Sequence, residues 1–564
     1  MTSKSSQCDV TPVDTPVVIV GAGPVGMFLA LDLASKGVRS TVIERNTSHR
    51  LYPKGDTHNA RTMEHYRRLG LADATRAAGL PPEHSTDVVY LTRLNGYELK
   101  RLRMPTGAEK MAEVAAHSVT SQVPEPLHRS NQVHVEKVVF EHLLRTEAVT
   151  CRLSTEFLGF EETNDGVTVQ VRPAEGGPEE TISCRYLVGC DGGRSLVRRQ
   201  LGITYEGEEQ ETGFSSGLHP SKYLRIPNLA KNVIREPAWQ YWLVRPGRIA
   251  SLITFDPSED EFRMTVYAGN ADDDDVLRAI VDDFVGEHVD IEILDSQGWV
   301  NGLALVADQY KSGRVLICGD AAHLSTPIGG FGMNTGIDDA ANLAWKLVAT
   351  IQGWAGPHLL DSYEAERRPA GERNTQAAIT LGRPLQGIPL SEDLEQDTPA
   401  GQKAREDAAR VLETQRQSYS SLGVQLGVRY EGSPIIWPDG TPAPDDEYDR
   451  YVPTARPGAR APHLWLSRTQ SLFDVLGPGF TLLRMGGHAP SAAPLVEAAR
   501  RRGIPLAVFD IELPEARDLY KSDLALIRPD QHVAWRGDEL PDVGELLTRV
   551  TGGTDISGPV PGRR

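Results

Sequence analysis

The run Pro16 to Gly26, PVVIVGAGPVG, constrains the fold more than any other stretch of the chain. An apolar strand from Pro16 to Val20 leads directly into Gly21, Ala22, Gly23, Pro24, Val25 and Gly26, and a helical pattern continues to Lys36. A second strand, Val38 to Ile43, ends at Glu44 with Arg45 beside it. Together these form a βαβ unit with a dinucleotide fingerprint. The glycines permit the tight turn, the close approach of a pyrophosphate and close helix packing, and an acid about 20 residues on can bond ribose hydroxyls. Taken alone, the unit does not separate FAD from NAD.

A second constraint lies at Gly313 to Leu347. The apolar run Val315 to Cys318 fits a strand covered on both faces. Gly319 and Asp320 follow at its C-terminal end, where open α/β sheets place their ligands. Gly329, Gly330 and Gly332 let backbone approach a flat ligand, and helical spacing runs from Met333 to Leu347. The start of that helix offers free N–H groups and partial positive charge. Such a pole suits the N1/C2=O edge of a reduced flavin.

Three further segments carry candidate chemistry. Tyr186 to Cys190 ends in Asp191-Gly192-Gly193-Arg194-Ser195, with Arg198 following. Asp191 and Arg198 can organise a pyrophosphate and its loop, or form an ordinary internal salt bridge at a helix start. Residues 53–70 run from a loop into a helix, and Asp56 and His58 there read either as proton acceptors or as turn and N-cap residues. Asn131 and Gln132 open an amphipathic helix in which the Gln132 amide could bond a flavin or phosphate edge.

These segments, in this order, resemble the class A flavin-dependent aromatic hydroxylases, and within them the chlorophenol- and phenol-hydroxylase branch. The resemblance rests on the motifs at Gly21, Asp191 and Asp320 and on the phrase Arg61-Thr62-Met63-Glu64, and it covers roughly residues 15–550. It implies that Asp320 holds the ribityl chain, that the loop around Pro327 lines flavin and substrate, and that Gly332, Met333 and Asn334 meet the isoalloxazine. Arg61 and Gln132 join the cofactor set, and Asp191 serves both FAD and NADPH. Asp56 matches the position of the phenol hydroxylases' proton-abstracting Asp, while the chlorophenol branch more often has His there and His58 lies two residues on. Tyr241, Pro327 and Gly329 are the expected substrate contacts.

The expected fold is α/β: a Rossmann-like, glutathione-reductase-type FAD-binding domain from 16–200 and 300–385, with an inserted substrate-binding β-sheet domain at 201–299. Residues 81–130 read as irregular, and 386–460 as a helical and proline-marked linker. Alternating strands and helices at 461–564 fit a thioredoxin-like domain, which lacks CxxC and so has no support for redox catalysis. Residues 1–15 are polar and expected to be a disordered tail without the apolar core of a signal peptide. The acidic run Asp272 to Asp275 precedes a helical pattern and is read as stabilising its N-terminus rather than as a metal site. A net charge of -18 argues against a nucleic-acid partner, which demands basic surface. No apolar run reaches membrane-spanning length, and five cysteines without CxxC suggest reduced thiols in a cytoplasmic protein. The expected partner is a small aromatic substrate, and a homo-oligomer is left open.

The resemblance implies an enzyme that consumes NADPH or NADH and O2. NADPH docks without a Rossmann domain of its own, and a flavin C4a-hydroperoxide transfers OH to a phenolic or hydroxypyridine ring, in natural-product biosynthesis or aromatic catabolism. No metal, nucleophile or triad is expected. A flavin-dependent halogenase would need a WxWxIP segment and an active-site Lys, and Trp239-Gln240-Tyr241-Trp242-Leu243-Val244 does not match. An NAD dehydrogenase would leave Asp320 and its loop without a role. A non-catalytic FAD-binding protein is separated from an enzyme only by turnover.

Overall fold

The computed structural model describes residues 14–52, 54–116, 122–209, 217–267, 273–301 and 303–554, so nearly all of the expected tail lies outside the described residues. The largest sheet runs Lys311–Ser312, Val315–Ile317, Glu180–Gly189, Thr15–Val20, Ser40–Ile43, Val149–Arg152. The last five of these strands are parallel. A hairpin, Thr155–Glu162 and Val167–Pro173, extends Glu180–Gly189 antiparallel. The register pairs Val20 with both Gly189 and Ile43, and Gly189 with Ile317. Four strands therefore end level, and Gly21, Glu44, Asp191 and Asp320 emerge along one edge. The three distant motifs thus meet through strand register.

Helices cover this sheet. Pro24–Ser35 and Phe331–Gln352 are buried over most of their length, as expected of helices packed on several sides. They cross closely because Gly336 carries no side chain: a Cβ there would lie 2.7 Å from Val25 Cγ2 and 2.9 Å from Gly319 Cα.

The second large sheet runs Glu292–Asn301, Gly217–Arg225, Glu261–Val266, Arg248–Asp256, Gln240–Arg245, Val88–Leu91, Glu98–Leu102. Two of its strands come from 81–130, the stretch expected to be irregular. Val88 to Leu91 is only four residues long and continuously apolar, too short for periodicity to mark it as strand. The sheet has two different faces. Tyr241, Leu252, Phe262 and Met264 pack against Leu277, Ile280 and Phe284 of the helix Asp274–Val285. That helix is N-capped by Asp273, which accepts the N–H groups of Asp275 and Val276, in line with the expected role of the acidic run. On the other face Tyr90, Trp239 and Trp242 pack against Leu385, Ile388, Leu394 and Leu412. The early part of the expected linker, including the helix Pro399–Glu413, is therefore a packed cover for the sheet.

The C-terminal sheet runs Leu506–Ile511, Phe480–Met485, Leu524–Ile527, Val533–Gly537, with the first pair parallel and the rest antiparallel. Phe480 of this unit packs on Trp345 and Trp354 at the far end of Phe331–Gln352. Its turn 528–532 is plugged into the helices by charge. Glu366, fully buried, accepts Arg528 Nη1 at 2.6 Å and Lys346 Nζ at 2.7 Å. Arg367 pairs with Asp338 at 2.5 Å and Asp339 at 2.7 Å. Removing one member of such a pair leaves a buried charge uncompensated and costs roughly 3–5 kcal/mol. Among the described residues no helix is long and apolar enough to cross a membrane.

Candidate active site

At the level edge of the parallel sheet, the glycine turn has the shape a pyrophosphate needs. Gly21 has φ +104° and Gly26 packs so closely on it that a Cβ would fall 2.1 Å from the Gly21 carbonyl oxygen. At Gly23 the space a side chain would fill is open. Glu44 is pinned beside the turn: Oε2 accepts the Ala22 N–H at 2.9 Å and Oε1 accepts the Asn46 N–H at 2.9 Å. Arg45 is exposed.

Asp191 caps the helix Leu196–Gln200 by accepting the Leu196 and Val197 N–H groups at 2.7 and 3.2 Å, while its Oδ1 is buried without a partner. Gly192 beside it has φ +81°. Arg198 does not pair with Asp191. It donates to the Ile203 carbonyl at 3.1 Å and lies 3.9 Å over the Tyr205 ring. Tyr205 in turn donates to the Asp320 carbonyl at 2.6 Å. The Asp320 side chain is half-buried and accepts no hydrogen bond from the described residues. Unsatisfied acceptors at a sheet edge are suited to hydroxyl donors such as those of ribose and ribitol.

Beyond it, Pro327 starts a tight turn closed by the Gly330 N–H to the Pro327 carbonyl at 3.0 Å. Gly329 and Gly330 have φ of +75° and +67°, which side-chain-bearing residues rarely tolerate. The helix then begins at Phe331 with no side-chain cap, so its first N–H groups, with those of half-buried Gly332 and Met333, are left for an anionic or polar ligand edge. Asn334 performs a different task from the flavin contact expected of it. Its Nδ2 donates to the Thr57 carbonyl at 2.9 Å and to the Gly330 carbonyl, and its Oδ1 accepts the Asn59 N–H at 2.9 Å and the Thr62 hydroxyl at 2.7 Å. It clamps the 57–62 segment to the Gly330 turn.

Two expected cofactor residues are engaged inside the protein. Arg61 is buried and donates to Glu64 Oε2 at 3.0 Å, Gln531 Oε1 at 2.7 Å, the Asp530 carbonyl at 2.7 Å and Asp338 Oδ1 at 3.3 Å. It joins the FAD-fold helix Ala60–Arg68 to the C-terminal unit. Gln132 supports the 53–58 loop: its N–H donates to the Gly55 carbonyl at 2.7 Å, its Oε1 accepts the Gly55 N–H at 3.2 Å, and its Nε2 donates to Glu136.

Asp56 and His58 separate. Asp56 is buried, accepting Asn131 Nδ2 at 2.6 Å and Arg263 Nη2 at 2.7 Å. Burial raises its carboxyl above the ordinary aspartate value, against the opposing pull of Arg263 and Asn131. His58 lies in a short strand paired with His128–Arg129, its ring 6.1 Å from Tyr66 and 6.5 Å from His128. Burial pushes it down to about 3, so it is neutral and packed within the fold.

Arg263 was absent from the residues picked out in the sequence, and it marks the face of the second sheet that reaches the 54–56 loop. It reaches Asp56 and the Lys54 carbonyl from the strand Glu261–Val266. Thr265, two residues on, shares its face and pairs across the sheet with Ser251, which pairs with Trp242, which pairs with Tyr90. Trp242 stacks between Tyr90 and Tyr267 with ring centroids 6.2 and 5.4 Å away, and Ile328 of the glycine loop packs into the same apolar cluster. Tyr241 corrects the sequence expectation. Strand alternation turns it to the opposite face, where its hydroxyl accepts the Ala238 N–H at 2.7 Å. The signal for Arg263 was present in the alternation Glu261-Phe262-Arg263-Met264-Thr265-Val266, a polar stripe on a strand with one apolar face.

The level strand ends, the glycine cradle, the open acceptors of Asp191 and Asp320 and the uncapped helix start fit FAD. A family model described as an FAD binding domain matches residues 14–378, and one described as aromatic-ring hydroxylase, C-terminal matches 454–553. The chain belongs to the FAD-dependent aromatic-ring hydroxylases and is an FAD-dependent aromatic monooxygenase. It is 31% identical to the FAD-dependent monooxygenase apdD of Emericella nidulans, over 93% of this chain and 88% of that one. It is likewise 31% identical to 2,4-dichlorophenol 6-monooxygenase of Delftia acidovorans, over 94% and 97%. A solved structure of the rebeccamycin biosynthetic enzyme RebC with reduced flavin superposes with a TM-score of 0.85 at 34% identity, over 96% of this chain and all of that one.

Proposed function

We propose that this protein consumes NAD(P)H and O2 to hydroxylate a phenolic or hydroxypyridine ring of a small aromatic substrate, in the tailoring of a natural product or in aromatic catabolism. The carrying observation is the Asp56–Arg263 pair, a buried carboxylate with a raised pKa on the face that presents Trp242, Ser251 and Thr265. Asp56 accepts the ring hydroxyl proton, which makes the ring electron-rich at the neighbouring carbon. Arg263 holds the carboxylate in place and keeps its basicity from rising further. Trp242, Tyr267 and Tyr90 flank the ring and exclude water. Bound FAD supplies the oxygen-activating chemistry after reduction by NAD(P)H. Residues 319–333 would hold the flavin, with the uncapped start of Phe331–Gln352 offering N–H groups to its polar edge. The names of the relatives support a phenolic ring and a biosynthetic setting. The strand order of the C-terminal unit supports the thioredoxin-like reading, with a structural role exercised through turn 528–532.

The test is a turnover with isotope-labelled dioxygen, NADPH and a panel of phenols and hydroxypyridines. One labelled oxygen atom in the ring product is expected. NADPH oxidation that yields only hydrogen peroxide with every ring would reject the reading.

A further inference from the structure

The loop that carries Asp56 is held one residue at a time. The pairing of Thr57–His58 with His128–Arg129 lays residues 54–56 beside the start of the helix Gln132–Arg145. Arg263 donates to the Lys54 carbonyl. Gln132 makes two hydrogen bonds with Gly55, from its own N–H at 2.7 Å and to its Oε1 at 3.2 Å. Asp56 receives one donor on each oxygen: Asn131 Nδ2 on Oδ1 at 2.6 Å and Arg263 Nη2 on Oδ2 at 2.7 Å. Asp56, Asn131, Gln132 and Arg263 are all buried, so a lost donor leaves an acceptor that bulk water does not readily satisfy.

Asn131 has a second bond that fixes what the first can be. It is the N-cap of the helix Gln132–Arg145, and its Oδ1 accepts the Val133 N–H at 3.0 Å. Turning the amide over would set its NH2 against that backbone N–H and its oxygen against the carboxylate. The cap therefore locks Nδ2 toward Asp56 as a donor. Arg263 is a donor by its chemistry. A proton taken up by Asp56 finds an acceptor on neither neighbour, and both contacts favour the ionised carboxylate. Two other charged or titratable groups act on it from the elements packed around the loop. Arg129, on the paired strand, donates to the Thr57 hydroxyl and to the Tyr419 carbonyl. His134, on the capped helix, has its ring 4.6 Å from Phe255 and is held below the ordinary histidine value by burial.

We infer that Asn131 is a positioning residue for hydroxylation: its cap-locked amide holds Asp56 ionised and in one orientation, so that the ring hydroxyl proton is taken on a lone pair that neither Asn131 nor Arg263 occupies. In that step the ring O–H bond breaks, its electron pair stays on the ring oxygen, and the proton passes to Asp56. Asn131 acts through Asp56 and touches neither ring nor flavin in this role. The inference rests on the reading of Asp56 as the base and deepens it by assigning the group that sets its basicity alongside Arg263.

The test uses the FAD-loaded enzyme and whichever ring of a phenol and hydroxypyridine panel the parent hydroxylates fastest. Single-turnover hydroxylation is followed across pH in the parent, in Asn131→Ser and in Asn131→Asp. Serine and aspartate are both competent N-caps, so each variant keeps the Val133 bond and the helix start. Serine is too short to reach Asp56, and aspartate sets an acceptor against it. The acid limb of the rate is expected to move up by about one pH unit in Asn131→Ser, as the loss of one charge-assisted hydrogen bond requires. It is expected to move further in Asn131→Asp, where two adjoining carboxyls share a proton. FAD content is expected to stay at the parent's level in both. In an Asp56→Asn background, Asn131→Ser is expected to slow hydroxylation no further. An acid limb that stays at the parent's pH in both variants overturns the positioning role and leaves the base reading standing, as does slowing by Asn131→Ser that is equally large in the Asp56→Asn background. Unchanged hydroxylation in Asp56→Asn alone removes the base and the positioning role together. A parent that forms no hydroxylated product from any ring counts against the hydroxylase reading itself, and the positioning role falls with it.

Discussion

Asp56→Asn separates proton abstraction from architecture. The amide is nearly isosteric, but it offers one acceptor where the carboxylate offered two, and it sets an N–H against Arg263 or Asn131, which donate to the Asp56 carboxylate at 2.7 and 2.6 Å. Breaking a buried pair costs roughly 3–5 kcal/mol. One retained acceptor brings the loss toward about 3 kcal/mol, inside the ~5–15 kcal/mol of an ordinary domain, so the variant is expected to fold and hold FAD. The kinetic loss is set by the missing base, about 10²–10⁴ in the hydroxylation step, or ~3–5 kcal/mol of barrier. Single-turnover stopped-flow with the reduced variant, oxygen and a phenol measures that step, and product per NADPH measures coupling. A sharper signature lies in pH. A phenol ionises in water near about 10, so the variant's rate is expected to climb toward the parent's as the medium replaces the lost base. An unchanged rate at neutral pH refutes the base role, and a loss that alkaline pH does not relieve shows that Asp56 acts only through structure.

Other expectations follow from packing and charge. Gly26→Ala drives a Cβ to 2.1 Å from the Gly21 carbonyl oxygen, so purified protein is expected to carry little FAD by flavin-to-protein absorbance. Tyr241→Phe removes a hydroxyl that accepts the Ala238 N–H and is expected to lower stability by ~1 kcal/mol with unchanged substrate KM, whereas Trp242→Ala is expected to raise KM. Glu366 is fully buried against Arg528 and Lys346, which hold its carboxyl down at about 2 against the cost of burial. Its stabilisation is fully present above the ordinary glutamate value of 4.5 and is lost as pH falls through about 2. The stability gap between the parent and Glu366→Gln, by denaturant melts, is therefore expected to be roughly 3 kcal/mol near neutrality and to close between those two pH values.

Local motifs were legible wherever backbone conformation dictates residue type. Gly21, Gly26, Gly329 and Gly330 announce themselves because no other residue fits, and Glu44, Asp191 and Asp320 follow strands at the ends where ligands bind. What the sequence hid is orientation and long-range pairing. Tyr241 and Trp242 are neighbours of similar chemistry, and only the sheet's cover, the helix Asp274–Val285 on one side, decides that Tyr241 packs under that helix and Trp242 in the cluster with Tyr90. Arg61 sits in a family-like phrase, yet its donors are taken by Gln531 and Asp530, some 470 residues away. Val88–Leu91 joins its sheet by pairing with Gln240–Arg245, a contact with no local signature.

The measurement that bears most directly on the central assignment is anaerobic stopped-flow reduction of the bound flavin by NADPH, with and without ring substrates. Flavin absorbance is expected to be lost slowly with NADPH alone and much faster when a phenolic or hydroxypyridine ring is present, and the accelerating ring identifies the substrate class. Fast reduction that no ring alters, or no reduction with FAD bound and every ring present, would contradict substrate-gated aromatic hydroxylation at this site.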